Sequence, residues 1–533
     1  MLRSSLTGSL LATLFCSAPV PTPAPTQGGA RARPTLLVFI TVDQMREDYV
    51  DRWRGQLTGG LKRLAEGGAF FTNGHQDHAI TETAPGHAST MSGRFPRSTG
   101  ISRNLAGVND STSHLIGSGE LGASPMRFRG TTLTDWLSAA NSHTRALSVS
   151  AKDRGAILPI GRSKQQVYWL PFSSDSFLTT STWYADTLPD WVKGFNARRI
   201  PQRSAGRIWN LLLGPSQYAE PDSVPIESGG RDFVFPHQAP SDTVAAARAF
   251  RGFPWMDELL LAFGLEGLQR LNLGKGPQAD ILAISLSTTD YVGHRFGPDS
   301  REIHDQILRL DRALGAFMDS LYKLRDSNKV IFALTGDHGV APFPELNNGR
   351  ISPAPKRVNV LPALQAAQRV IQAGGGGGNP AALDLESGAL LVNRAGVGVE
   401  ETLLRAAVDS FLAVARRIPG VLRADRFADL AKADPGKDAV ARRWVQMFAP
   451  DAGVEAAITL TPGSYWEPYP VAMHGTPHDA DTHVPIIFFG PPFKPGRYPQ
   501  FVRTVDLAPT LAQVLGVVPS EPLDGRVLVA GIR

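Results

Sequence analysis

The chain carries a series of short apolar runs that end at acidic or small polar residues. They are TLLVFITVD, ending at Asp43, ADILAISLSTTD, ending at Asp290, KVIFALTGDHG, reaching Asp337 and His338, and VPIIFFG, ending at Gly490. Runs this short with no polar alternation read as strands buried on both faces, the pattern of a parallel sheet. Between the second and third lies REIHDQILRLDRALGAFMDSLYKLRD, whose Ile307, Leu308, Leu310, Leu314, Phe317, Met318 and Leu321 recur at helical spacing. Strand, crossover helix and strand predict an α/β fold with a doubly wound, mostly parallel central sheet flanked by helices. Ligands of such sheets bind outside the carboxyl ends of the strands, where these acidic residues stand. TVDLAPTLAQVLG reads as a closing helix stopped by Gly516.

Two stretches break the alternation. Residues from about 155 to 276 are rich in Trp, Ser, Pro and Phe. Residues from about 351 to 461 contain the run AGGGGGNP and a helical pattern in EETLLRAAVDSFLAVARR. Both read as insertions over the active face of one catalytic domain, 35–533.

The first residues, MLRSSLTGSLLATLFCSAPVPTPAP, combine one early positive charge, a short apolar run and small residues. This is the pattern of a signal peptide, 1–18, with cleavage after Ala18, followed by a flexible Pro- and Gly-rich leader, 19–34. It predicts export to the periplasm or the extracellular space. Cys16 is a candidate for a lipid anchor, which the bulky Leu14 and Phe15 before it disfavour. It is also the chain's only cysteine, so the mature protein depends on core burial and metals, not disulfides. No later apolar run approaches a transmembrane span. A formal charge of +5 spread over 533 residues gives no concentrated basic face, which argues against a nucleic-acid partner.

The strand ends pair acids with histidines. DYVGH puts Asp290 and His294 four residues apart, on one face if a helical turn follows the strand. GDHG supplies Asp337 and His338, VDQM supplies Asp43, and AMHGTPHDADTH supplies His474, His478 and His483. An isolated strand-end Asp is commonly a helix cap. Carboxylates and imidazoles collected at one rim instead make a metal site, and mixed Asp and His sets suit Zn better than Ca or Mg.

TVDQMREDY, TETAPGHAST, RNLAGV, SAKDRGAILPIG, STTDYVGH, LTGDHGV and HGTPHDADTHVPIIFFG occur in an order that resembles the alkaline phosphatase superfamily. The likeness is to the PafA-like, phosphate-irrepressible bacterial enzymes with a Thr nucleophile. It implies two zinc ions, one held by Asp290, His294 and His474, the other by Asp43, Asp337 and His338 with the Thr83 oxygen. His474 is preferred over His478 and His483 because the family's ligand directly precedes a Gly. The resemblance makes Thr83 the nucleophile, and it puts Asn104, Lys152 and Arg154 on the phosphate oxygens. The expected activity is hydrolysis of small-molecule phosphate monoesters through a phospho-threonine. A Lys and an Arg suit the two charges of a monoester better than the single charge of a diester. The rival readings are a phosphodiesterase or nucleotide pyrophosphatase of the same fold, and an exported binding protein without activity. A sulfatase is disfavoured, because Thr83 cannot give the formylglycine that branch needs.

Overall fold

The structure, a computed structural model, describes residues 33–104, 107–171, 177–374 and 377–533. The expected signal peptide with Cys16, and the leader as far as residue 32, lie outside the described residues.

Twelve strands matter for the site. They are β1 Leu36–Val42, β2 Ala69–Phe71, β3 Ala146–Ser150, β4 Gln166–Trp169, β5 Asp280–Leu286, β6 Val330–Thr335, β7 Leu383–Glu386, β8 Ala389–Val392, β9 Val421–Arg426, β10 Val454–Leu460, β11 Ile486–Phe489 and β12 Gly496–Tyr498. The helices that flank or crown them are α1 Thr83–Ser92, α2 Asp153–Ile157, α3 Trp255–Arg270, α4 Thr288–Phe296, α5 Arg301–Leu324, α6 Leu361–Ala373, α7 Glu401–Ala415 and α8 Leu507–Leu515.

Eight strands form the central sheet in the order β12-β2-β11-β6-β1-β5-β3-β4. β1 is central and pairs in parallel with β5 and β6, starting at Leu36↔Asp280 and Leu36↔Val330. Every residue of β1 is buried, because side chains alternate between two covered faces. Leu36, Val38, Ile40 and Val42 pack into a core with Leu259 and Leu260 of α3 and Ile307, Leu314 and Met318 of α5. Leu37 and Phe39 pack on the other side with Ala84, Ala88 and Met91 of α1 and Leu507 and Leu511 of α8. Each fully buried aliphatic side chain stabilises the fold by about 1.5–3 kcal/mol. An unbroken apolar strand is therefore what this two-sided architecture requires.

The run VPIIFFG departs from its sequence reading. β11 is antiparallel to β6, with Thr335 opposite Ile486 and Phe332 opposite Phe489. Burial on both faces selects apolar residues whichever way a strand runs, so composition carries no direction. Both long helical patterns are realised. α5 starts at Ser300, whose hydroxyl accepts from the Ile303 N–H, and α8 stops at Gly516 with φ +68°.

The stretch 155–276 is more than an overlay on the sheet. It supplies the edge strand β4 and the helix α3, which packs against β5 and β3. The stretch 351–461 builds a four-stranded antiparallel sheet, β7-β8-β10-β9, backed by α6 and α7 around a core of its own. No helix among the described residues is long and apolar enough to cross a membrane.

Candidate active site

The parallel strands β1, β3, β5 and β6 deliver their carboxyl ends to one rim, and the expected site residues meet there. Asp43 follows β1, Lys152 and Arg154 follow β3 at the start of α2, Asp290 and His294 lie on α4, and Asp337 and His338 follow β6. Asp290 Oδ1 is 3.2 Å from His294 Nε2 and 3.8 Å from His474 Nε2. His338 Nε2 is 3.4 Å from Asp43 Oδ1 and 3.6 Å from Asp337 Oδ2. Two triads result, Asp290 with His294 and His474, and Asp43 with Asp337 and His338. Within each, the ligand atoms lie within 4.8 Å of one another. The rings of His338 and His474 stack at 3.7 Å, so the triads are neighbours.

Of the three histidines in the late loop, His474 alone reaches this rim. His478 Nε2 binds the Leu460 carbonyl and His483 Nε2 binds the Thr72 carbonyl.

The donor set fits metal cations. His294, His338 and His474 each place Nδ1 on a backbone carbonyl, of Ala472, Gly339 and Thr81, at 2.6, 2.9 and 2.7 Å. A carbonyl only accepts, so Nδ1 carries a proton and Nε2 is the atom each ring turns to its triad. Among the described residues His338 Nε2 and Asp43 Oδ1 are buried without a hydrogen-bond partner, which is costly unless a cation completes them. Burial, reinforced by His338 and His294, holds His474 well below the usual imidazole range and so neutral. Burial, reinforced by Asp290 and Asp337, drives the Asp43 carboxyl well above the usual range, because three carboxylates crowd one dry space.

Lys152 relieves that crowding. Its ammonium stands 2.6 Å from both Asp43 Oδ2 and Asp290 Oδ2, and 3.4 Å from Thr83 Oγ1. Burial works against its charge, but Asp290 and Asp43 outweigh burial and keep it protonated. Arg154 turns its guanidinium to Asp153 at 3.5 Å, leaving Nε buried without a partner.

Thr83 opens α1 after the extended residue Glu82. Pro85 fits the first turn, where a missing N–H costs nothing. Gly86 lets the helix dock on β6, since a Cβ there would stand 2.2 Å from the Asp337 carbonyl oxygen. The hydroxyls of the stretch 81–90 have different fates. Thr81 donates to the Thr476 carbonyl and Thr90 to the His87 carbonyl, whereas Thr83 donates to no carbonyl among the described residues. Asn104 Oδ1 accepts the Ala84 N–H at 2.9 Å, so its oxygen is engaged at the helix start and its NH2 group is the end left for other partners.

Three supporting residues escape sequence reasoning. Gln44, in the left-handed region at φ +65°, donates its N–H to Asp337 Oδ1 and its side-chain amide to Asp290 Oδ1, both at 3.0 Å. It thereby ties the two triads together. His87 Nδ1 lies 2.9 Å from the Thr83 carbonyl and 3.1 Å from Asp337 Oδ2, with Nε2 on the Ser285 hydroxyl. Glu82 accepts the Asn104 N–H at 2.8 Å and the Ser387 hydroxyl at 2.9 Å. Gln44 and His87 sit in the motifs around Asp43 and Thr83, but nothing local marks them, because their partners lie hundreds of residues away.

Ser387 and Gly388, with φ +46° and +85°, form the two-residue turn between β7 and β8. Arg103 pairs with Glu386 at the base of this turn and, at 3.7 Å, with Asp384. The inserted sheet thus reaches the rim through a hairpin tip. Between that tip and the rim a cleft of about 800 Å³ opens at Asn104, His294 and His474.

Residues 37–358 match the sequence family described as type I phosphodiesterase / nucleotide pyrophosphatase. The chain is 32% identical to alkaline phosphatase PhoK of Sphingomonas sp, over 94% of this chain and 92% of that one. It is 29% identical to alkaline phosphatase PafA of Elizabethkingia meningoseptica, over 91% and 92%. The crystal structure of PafA superposes with a TM-score of 0.85 at 27% identity, covering 95% of this chain and all of that one. Murine ectonucleotide pyrophosphatase/phosphodiesterase 5 shares the fold, with a TM-score of 0.53 at 15% identity. An unbroken likeness over nearly the whole chain, on a fold whose strand ends gather two Asp and His triads, identifies this protein as a PafA-like member of the alkaline phosphatase superfamily.

Proposed function

We propose that the chain hydrolyses phosphate monoesters to an alcohol and inorganic phosphate, with Thr83 as nucleophile and two zinc ions as cofactors. The observation that carries this reading is the Thr83 hydroxyl, unspent on the backbone and beside the Lys152 ammonium at the rim shared by both triads.

Asp290, His294 and His474 would hold one ion, and Asp43, Asp337 and His338 with Thr83 the other. When bound, the pair supplies adjacent positive charge that stabilises an attacking and a leaving oxygen. In the first half-reaction Thr83 Oγ1 forms a bond to phosphorus as the ester oxygen departs with the alcohol. In the second, water displaces Thr83 and releases phosphate. Two in-line displacements give net retention at phosphorus. Asn104, oriented by the Ala84 N–H, offers its NH2 group to a phosphoryl oxygen. Lys152 stands beside the Asp43 and Asp290 carboxylates and the Thr83 hydroxyl, where its ammonium can face the second phosphoryl charge, with Arg154 beside it. Export to the periplasm or beyond remains the sequence's expectation for residues 1–18.

The match to the type I phosphodiesterase / nucleotide pyrophosphatase family favours a second reading, diester hydrolysis at the same site. The test is kcat/KM for a monoester and a diester of one alcohol on the zinc-loaded enzyme. A monoester preference is expected, and a diester preference overturns the proposal.

A further inference from the structure

The cleft beyond the rim has a sidedness that bears on which alcohols leave. Its inner end is Asn104, His294 and His474, and its outer wall comes from the inserted region and the loop before His474. That wall displays Leu361 and Tyr469, each 49% exposed, together with the half-buried Trp466. Large apolar side chains left bare beside a reaction centre mark a binding surface, because covering them with an apolar ligand group is favourable.

The charges on the cleft have one sign. Glu82, Asp384, Glu386 and Glu467 line it, and among the described residues no Lys or Arg does. Two nearby arginines are already engaged by groups of the wall and its surroundings. Arg103 pairs with Glu386 and Asp384, while Arg357 pairs with Glu345 and donates to the Tyr469 and Val471 carbonyls. Glu467 is exposed and lines the cleft beside Tyr469. A phosphoryl group at the cation-binding end therefore leaves the rest of the substrate against an apolar, acidic wall. A second phosphate there would meet a net acidic wall whose neighbouring arginines are already paired.

We infer that this cleft is a leaving-group site for apolar or aromatic alcohols, and that its carboxylates select against phosphate esters bearing further anionic groups. The inference rests on the monoesterase reading and deepens it. Substrates of this class are uncharged beyond the phosphoryl group. Nucleoside polyphosphates and sugar bisphosphates are disfavoured.

The test compares three primary-alcohol monoesters, so that leaving-group reactivity stays close: ethyl phosphate, 2-phenylethyl phosphate and ethylene glycol bisphosphate. On the zinc-loaded enzyme, kcat/KM for the phenylethyl ester is expected to exceed that for ethyl phosphate by about tenfold or more, the scale of a few methylenes in an apolar pocket. The bisphosphate is expected to fall below ethyl phosphate by a similar factor. In the surface variant Leu361→Ser/Tyr469→Ser the phenylethyl-to-ethyl ratio should drop toward one, and in Glu467→Gln the bisphosphate-to-ethyl ratio should rise. Both changes lie on exposed side chains, so folding is retained, and turnover of ethyl phosphate serves as each variant's own reference. Equal kcat/KM for the ethyl and phenylethyl esters, or ratios that these variants leave unmoved, overturns the inference. Failure to turn over ethyl phosphate at all would instead sink the monoesterase reading on which it rests.

Discussion

Asn104 Oδ1 accepts the Ala84 N–H at 2.9 Å, and this one bond decides which end of the amide faces the site. The oxygen is consumed by the backbone next to Thr83, so only the NH2 group remains to meet an anion. Asn104→Ala should lower kcat/KM for a monoester by about 100-fold, the cost of losing one donor to developing charge, and should weaken inhibition by inorganic phosphate. Asn104→Asp should fall further, because it turns a carboxylate toward the phosphoryl group. Equal activity of the Ala and Asp variants would show that this amide does not touch phosphate.

Glu82 holds Asn104 from the other side and links it to Ser387 on the inserted hairpin. Ser387→Ala is expected to reduce kcat/KM by about tenfold or more, on the order of one hydrogen bond to a charged group. Combined with Asn104→Ala it should have no further effect, since it acts through that residue. Additive losses in the double variant would mean that Ser387 matters only for folding of the inserted sheet.

Thr83→Ala should keep stoichiometric zinc, because the six Asp and His side chains proposed to hold it remain, yet lose turnover of p-nitrophenyl phosphate by about 1,000-fold or more. Thr83→Ser keeps the oxygen and should retain most activity. Zinc content and steady-state rates on the same preparations check both, and substantial turnover by the Ala variant would mean that another hydroxyl attacks.

Much of this was legible from the sequence because buried parallel strands announce themselves as apolar runs, and α/β topology then obliges their carboxyl ends to share a rim. The spacing of Asp290 and His294 needed only one helical turn, and α4 provides it. Other features had no local signature. β11 runs against its neighbour although its composition matches theirs. Gln44 bridges the triads only because its backbone enters the left-handed region and meets residues 246 and 293 positions away. The separation of His474 from His478 and His483 came from a family likeness, since three histidines in one loop are equivalent until backbone carbonyls choose among their rings.

Lys152 stands 2.6 Å from both Asp43 Oδ2 and Asp290 Oδ2, so its removal should be felt most where no cation shares those carboxylates. In Lys152→Ala the chelated protein keeps crowded, buried carboxylates without their ammonium, a loss of about 3–5 kcal/mol. Thermal melts with chelator should show a large drop in Tm for the variant, and added zinc should close most of the gap. Monoester turnover should stay low even so, falling more than diester turnover on the same enzyme. A gap that zinc does not close would count against a compensating role.

Asp481 gives the loop between His474 and β11 a pH dependence of its own. Its carboxylate is fully buried and accepts from the Thr476 N–H and hydroxyl, while Oδ1 has no partner. Burial raises its pKa from 3.8 to about 7, with Thr476 and Arg46 only partly offsetting it. A carboxyl whose folded-state value lies above its unfolded one contributes stability that is complete below the unfolded value and is lost as pH rises through the folded one. The loss therefore accrues from about pH 4 to 7 and is complete at alkaline pH, with an upper bound of about 4 kcal/mol. Asp481→Asn keeps an accepting oxygen for Thr476 and does not titrate. Its Tm should exceed that of the unmodified protein by more near pH 9 than near pH 5, both measured with zinc bound. A difference that is the same at the two pH values would show that Asp481 does not ionise within this range.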